Sequence, residues 1–191
     1  MNGRRVWALG AALVAASTAP ATKWAGTIQV TDTGAASATT CTVAQAIYAA
    51  NLANNPANAT PAGVTTVMPL SDSATTTTGS CNGAGSGANT IDLTAVAGRT
   101  LTFSAADNYW YGPNVLPPIA STIVIEGQGA TLSVMTGVGR LRFFFIGADA
   151  NSSATPGYNT PGPGNLTLHR LRLTGGRQQG GNAALREQPG L

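Results

Sequence analysis

An all-β fold, a parallel β-helix of about three coils with a short N-terminal capping helix, is what this sequence predicts. The first observation is residues 121–132 (STIVIEGQGATL), where the run Ile123-Val124-Ile125 meets a corner framed by Gly127 and Gly129, and Ala130-Thr131-Leu132 begins a second strand at once. The second is the return of this unit at residues 165–176 (NLTLHRLRLTGG), with Leu166 and Leu168 in one strand and Leu171 and Leu173 in the next. Strand, corner and strand with nothing helical between suit a chain that winds and stacks, each coil covering its neighbour's apolar face. The third is composition: 9% of the residues are charged, against roughly 25% in typical soluble domains, and small polar residues fill the corners and loops. A chain of 191 residues suits one domain with a sizeable core.

Residues 1–21 read as a secretory signal peptide. Arg4 and Arg5 form its basic start, residues 6–16 its apolar middle, and Ala19-Pro20-Ala21 its cleavage site, which makes Thr22 the mature N-terminus. The apolar run is shorter than the roughly 20 residues of a membrane span, and the mature chain offers no transmembrane segment. The expected location is therefore secreted or cell surface. Losing Arg4 and Arg5 takes the formal charge from +3 to about +1, which is no nucleic-acid signature. Cys41 and Cys81 are the two cysteines, so one intrachain disulfide is available in an oxidising compartment; two buried thiols are the alternative.

Residues 22–89 form an N-terminal cap region. Residues 27–31 (TIQVT) alternate as a strand. A helix over 42–51 follows: Thr42 and Gln45 have capping-box spacing, and Val43, Ala46, Ile47 and Ala50 share one face. Such a helix covers the first coil, whose edge would otherwise template pairing.

Residues 41–51, CTVAQAIYAAN, resemble the CSLREA segment (C-S-L-R-E-A-I-x-A-A-N) of bacterial secreted proteins. Cys41, Ala46, Ile47, Ala49, Ala50 and Asn51 match, Thr42 and Val43 are conservative variants, and Ala44 and Gln45 replace the Arg-Glu pair. The resemblance implies a right-handed parallel β-helix and export. It implies no activity, because members are described as surface or secreted β-helix proteins.

Coils are expected over 90–176. Residues 90–93 and 100–103 give the first pair of strands, 119–134 the second, 141–146 (LRFFFI) the most apolar strand, and 165–174 the last pair. Ile91, Ile123 and Leu166 are expected to begin equivalent strands. Residues 54–88, 104–118 and 149–164 read as loops, the first with an extended piece at 64–68. Residues 177–191 lack a strand pattern and read as an unstructured tail, so the chain is expected to be a fragment of a longer protein. Its last coil would then be open to end-to-end self-association.

The candidate chemistry is sparse. Asp92 and Glu126 could meet on adjacent coils, but no carboxylate motif, metal-ligand cluster or cofactor signature is present, and His169 has no Ser or Cys beside it. Arg140, Arg142, Arg170, Arg172 and Arg177 crowd the last third. Arg142 and Arg172 alternate with apolar neighbours, which points both outward. A ladder of arginines on stacked strands would suit an anionic polysaccharide or cell-surface glycan; solvated surface charge is the plainer reading. Tyr109, Trp110 and Tyr111 could stack on sugars or fold back onto their own coil. The expectation is a non-catalytic structural or adhesive module with candidate glycan-binding residues. The alternative is a polysaccharide lyase or glycoside hydrolase acting on acidic glycans.

Overall fold

The computed structural model describes residues 24–54, 74–75, 77–109, 112–146 and 164–177. The signal peptide expected at 1–21, the extended piece at 64–68 and the tail beyond residue 177 lie outside the described residues.

Seven strands and one α-helix organise the described residues. They are β1 (Gly26–Gln29), α1 (Val43–Ala53), β2 (Asn89–Asp92), β3 (Thr100–Phe103), β4 (Thr122–Glu126), β5 (Thr131–Val134), β6 (Asn165–His169) and β7 (Arg172–Thr174). The strands form a four-stranded sheet, β1-β2-β4-β6, and a three-stranded sheet, β3-β5-β7. All neighbouring strands are parallel. From β2 onward, consecutive strands alternate between the two sheets, so each pass of the chain lays one strand on each. The fold is mostly β, and no helix among the described residues is long and apolar enough to cross a membrane.

Register turns these sheets into columns of like residues. Ile28, Ile91, Ile125 and Leu168 stack in one inward column, and the three isoleucines are fully buried. Leu101, Leu132 and Leu173 form a second column in the other sheet. Burying a side chain of this size stabilises by about 1.5–3 kcal/mol, so the columns hold the passes together. The register also corrects an expectation. Ile123 pairs with Leu166, but Asn89 rather than Ile91 lies opposite Ile123. A two-residue shift keeps every side chain on the same face, so hydrophobic alternation is blind to it.

The chain between β3 and β4 forms a third side. Val115, Leu116 and Ile119 are buried there, and Asn114 and Ile119 bridge to Arg142 and Ile146 of the next pass. Residues 141–146 were expected to form a strand and make only these isolated bridges. The facing segment supplies the reason: Pro113, Pro117 and Pro118 have no N–H to donate, so a continuous ladder is impossible.

The cap carries its expected capping box. The Gln45 N–H donates to Thr42 Oγ1 and the Thr42 N–H donates to Gln45 Oε1. The helix runs to Ala53, two residues past the expected end, and is capped by Asn54. It is also enclosed rather than half-exposed, since Gln45, Tyr48, Ala49 and Asn51 are buried beside the expected stripe. Asn51 explains part of this. Its amide donates to Pro118 O at 2.7 Å and accepts from the Ala120 N–H and the Ser121 hydroxyl, clipping α1 to the chain that enters β4. The cap region is not a separate layer, because its β1 is the edge strand of the four-stranded sheet. Cys41 and Cys81 are disulfide-bonded across 40 residues, a closure worth about 4 kcal/mol on the chain-entropy account.

Candidate functional site

Arginines were the main candidates, and the structure sorts them differently from the sequence. Arg172 lies opposite Thr131 in the three-stranded sheet, whereas Arg142 bridges to Asn114 on the third side. The two are not rungs of one ladder. Nor does Arg142 point freely outward. Its Nε donates to Asn114 Oδ1, its Nη2 lies 3.4 Å from Gly112 O, and its guanidinium sits 5.9 Å from the centre of the Phe145 ring. Burial lowers its pKa. Asn114 is itself fully buried and donates to Asn108 Oδ1 at 2.7 Å, and Asn108 donates to Leu116 O at 2.9 Å. Arg142 therefore ends a buried amide network that holds the third side in place. Its apolar neighbours Leu141 and Phe143 are buried as the alternation suggests; what alternation could not show is that Arg142 is held by Asn114.

A different pairing emerges. Arg142 and Arg177 line one open groove of about 310 Å³ together with Phe143, Leu173, Gly175 and Gly176. The Arg177 N–H donates to Leu141 O at 2.8 Å, which fixes the chain leaving β7 beside residues 141–143. Gly176 lets it pass, because a β-carbon there would lie 2.8 Å from the Phe143 ring. Leu173 is 41% exposed and Arg177 is exposed, so the groove sets one exposed arginine beside an apolar surface, with Arg142, held by Asn114, on its wall. Guanidinium recognises carboxylate and sulfate by paired hydrogen bonds, and the face of an aromatic ring accepts the C–H face of a sugar ring. Arg140, Arg170 and Arg172 are exposed, the last two around the β6–β7 corner, and none of the three lines the groove. Tyr109 is 72% exposed; Trp110 and Tyr111 lie outside the described residues.

A second polar group lies at the ends of the four-stranded sheet. Gln29, Asp92, Glu126 and His169 stand in register on successive strands. Gln29 Nε2 donates to Asp92 Oδ2 at 2.8 Å. Glu126 Oε1 lies 2.6 Å from His169 Nδ1 and its Oε2 lies 3.4 Å from Arg170 Nη2. The Thr94 hydroxyl, ahead of Gln29, lowers the Asp92 pKa, and the hydrogen bond from His169 lowers that of Glu126. Asp92 and Glu126 lie opposite one another in register, and the surroundings of both favour the ionised form. Glycoside hydrolysis needs one carboxyl held protonated, and these two are built the other way. Among the described residues, no group of three or more His, Cys, Asp or Glu side chains could hold a metal ion.

The buried amides Asn108 and Asn114 escaped the sequence reading, and Asn51 entered it only as a matching residue of the CSLREA segment, without its contacts. Asn114 follows Pro113 and reads as part of a turn, and contacts distant in the chain are what reveal a buried amide's partner. Comparison with family models, curated proteins and solved structures finds no match.

Proposed function

We propose that this chain is an exported, right-handed parallel β-helix module of CSLREA type that acts without catalysis, as a structural or adhesive surface element binding anionic glycan. Strands alternating between parallel sheets support the coil, and the strong right-handed preference of parallel crossovers supports its hand. The disulfide supports an oxidising compartment. The single observation that carries the glycan reading is the groove in which Arg142 and Arg177 flank Phe143 and Leu173. Arg140, two residues before Arg142 in the chain, is also exposed and adds to the positive charge a polyanion would meet.

The test is titration calorimetry of the exported chain with polygalacturonate and alginate, with dextran as the neutral control. Binding should be confined to the acidic polymers, weaken as salt rises, and fall several-fold in Arg177→Ala. Equal binding of dextran, or no effect of Arg177→Ala, would overturn the assignment. Released oligosaccharides or unsaturated uronates in the same mixtures would support the lyase or hydrolase reading instead.

A further inference from the structure

Among the described residues, the strand β3 has an open outer edge. In the four-stranded sheet β1 covers β2, but β3 begins the three-stranded sheet and pairs only with β5. That ladder uses alternate residues: the Thr131 N–H donates to Arg99 O and the Met135 N–H to Phe103 O. The alternation turns the N–H and C=O groups of Thr100 and Thr102 toward the other edge, where no described residue pairs with them. The body of the cap helix packs on β1 and β2 and Asn51 clips it toward Pro118, so only its start, Thr42, Val43 and Ala44, reaches this place.

A cleft of about 520 Å³ lies along that edge, a volume typical of ligand sites. Leu101 and Phe103 of β3 line it on one side, and Asp32, Gly34, Ala35 and Ala36 line it on the other. Gly34, Ala35 and Ala36 are small and exposed, so a second backbone can approach closely. The charged residues on the lining are Asp32 and Asp107. Asp107 is committed to the Thr75 N–H and hydroxyl. Asp32 uses Oδ1 to accept from the Gly34 N–H at 2.6 Å and is only half-buried. A cation is the charge this wall attracts.

We propose that the cleft binds an extended peptide by strand addition to β3, a peptide of alternating small apolar residues that places a lysine or arginine near Asp32. Main-chain pairing to Thr100 and Thr102 supplies the binding, as in other sheet-edge complexes. Leu101 is already only 3% exposed, so the incoming strand adds main-chain bonds to the sheet rather than a new core layer, and a saccharide lacks the alternating N–H and C=O groups that match Thr100 and Thr102. This interface is separate from the arginine groove and does not depend on it.

The probe is a fluorescein-labelled heptapeptide of alternating Thr and Val with Lys at both ends, added to the exported chain and followed by anisotropy. Saturable binding is expected. N-methylation of the central peptide amides should abolish it without touching the protein. Thr102→Pro removes one edge donor at a position where an edge strand tolerates proline, and should weaken binding about tenfold with an unchanged melting curve. Asp32→Asn should weaken the lysine peptide and leave a version with Thr in place of Lys unaffected. Absence of saturable binding, or equal binding of the N-methylated probe, overturns the proposal. So does displacement of the probe by maltose, which assigns the cleft to a sugar. Self-association of the chain that Thr102→Pro removes would assign it to a second copy, and is equally fatal.

Discussion

Replacing Gly127 by alanine should cost more than the same change at Gly129, although the two frame one corner. At Gly127 the added β-carbon would lie 2.7 Å from both Arg170 O and Leu171 Cβ on the next pass. Carbon contacts normally settle near 3.5–4.0 Å, so the two passes must part by roughly 1 Å. Overpacking of this kind costs about 1–3 kcal/mol. The same movement strains the bonds from the Gly127 N–H to His169 O and from the Gly129 N–H to Arg170 O, both 2.8 Å, each worth about 0.5–1.5 kcal/mol. A total near 3 kcal/mol follows from these two contributions. Gly129 has a different constraint. Its φ is +78°, with nothing within 4 Å of a β-carbon, so alanine there costs about 1–2 kcal/mol for left-handed backbone alone. Urea unfolding of the exported chain with its disulfide intact measures both. Each kcal/mol also lowers the melting temperature by about 2–4 °C at this size. Equal costs, or a larger cost at Gly129, would refute close stacking of the β4–β5 corner on the β6–β7 corner.

Three further outcomes are expected. Asn51→Ala should destabilise by about 3 kcal/mol, because it orphans the Ala120 N–H and the Pro118 C=O; a cost below about 1 kcal/mol in urea unfolding would show that α1 is not clipped there. Gln45→Glu, which restores the residue of the CSLREA pattern, should destabilise rather than stabilise. The fully buried Gln45 donates to Ser37 O at 2.6 Å, a bond that a carboxylate cannot make. Thermal melts decide the sign. Finally, Asp92 and Glu126 have folded pKa values below their ordinary ones. Their contribution is therefore complete above about pH 5 and lost as pH falls through the depressed folded values. Melting temperature should be flat from pH 7 to 5 and decline in more acid solution, with a shallower decline in Asp92→Asn. An unchanged slope in that variant would remove Asp92 from the account.

The described fold was legible where local chemistry decides it. Thr42 and Gln45 announced the start of the helix, because a capping box is completed within four residues. The β-branched run Ile123-Val124-Ile125 announced β4, and the alternation of Leu166 and Leu168 announced β6, because branched residues favour strands and side chains alternate along them. Cys41 and Cys81 left only one possible intrachain bond. What alternation could not carry was register. Moving a strand by two residues preserves its faces, so pairing of Ile91 with Ile125 instead of Ile123 was settled by the whole stack. The third side was hidden for another reason. Pro113, Pro117 and Pro118 break the ladder that would have marked it, and Asn108, Asn114 and Arg142 hold it through side-chain bonds spanning up to 28 residues. The same is true of the arginines: sequence counted them, but the course of the chain after β7 brought Arg177 beside Arg142. Local pattern fixes which face of a strand is apolar; which strands become neighbours depends on contacts between residues far apart in the chain, and those exist only once the passes have stacked.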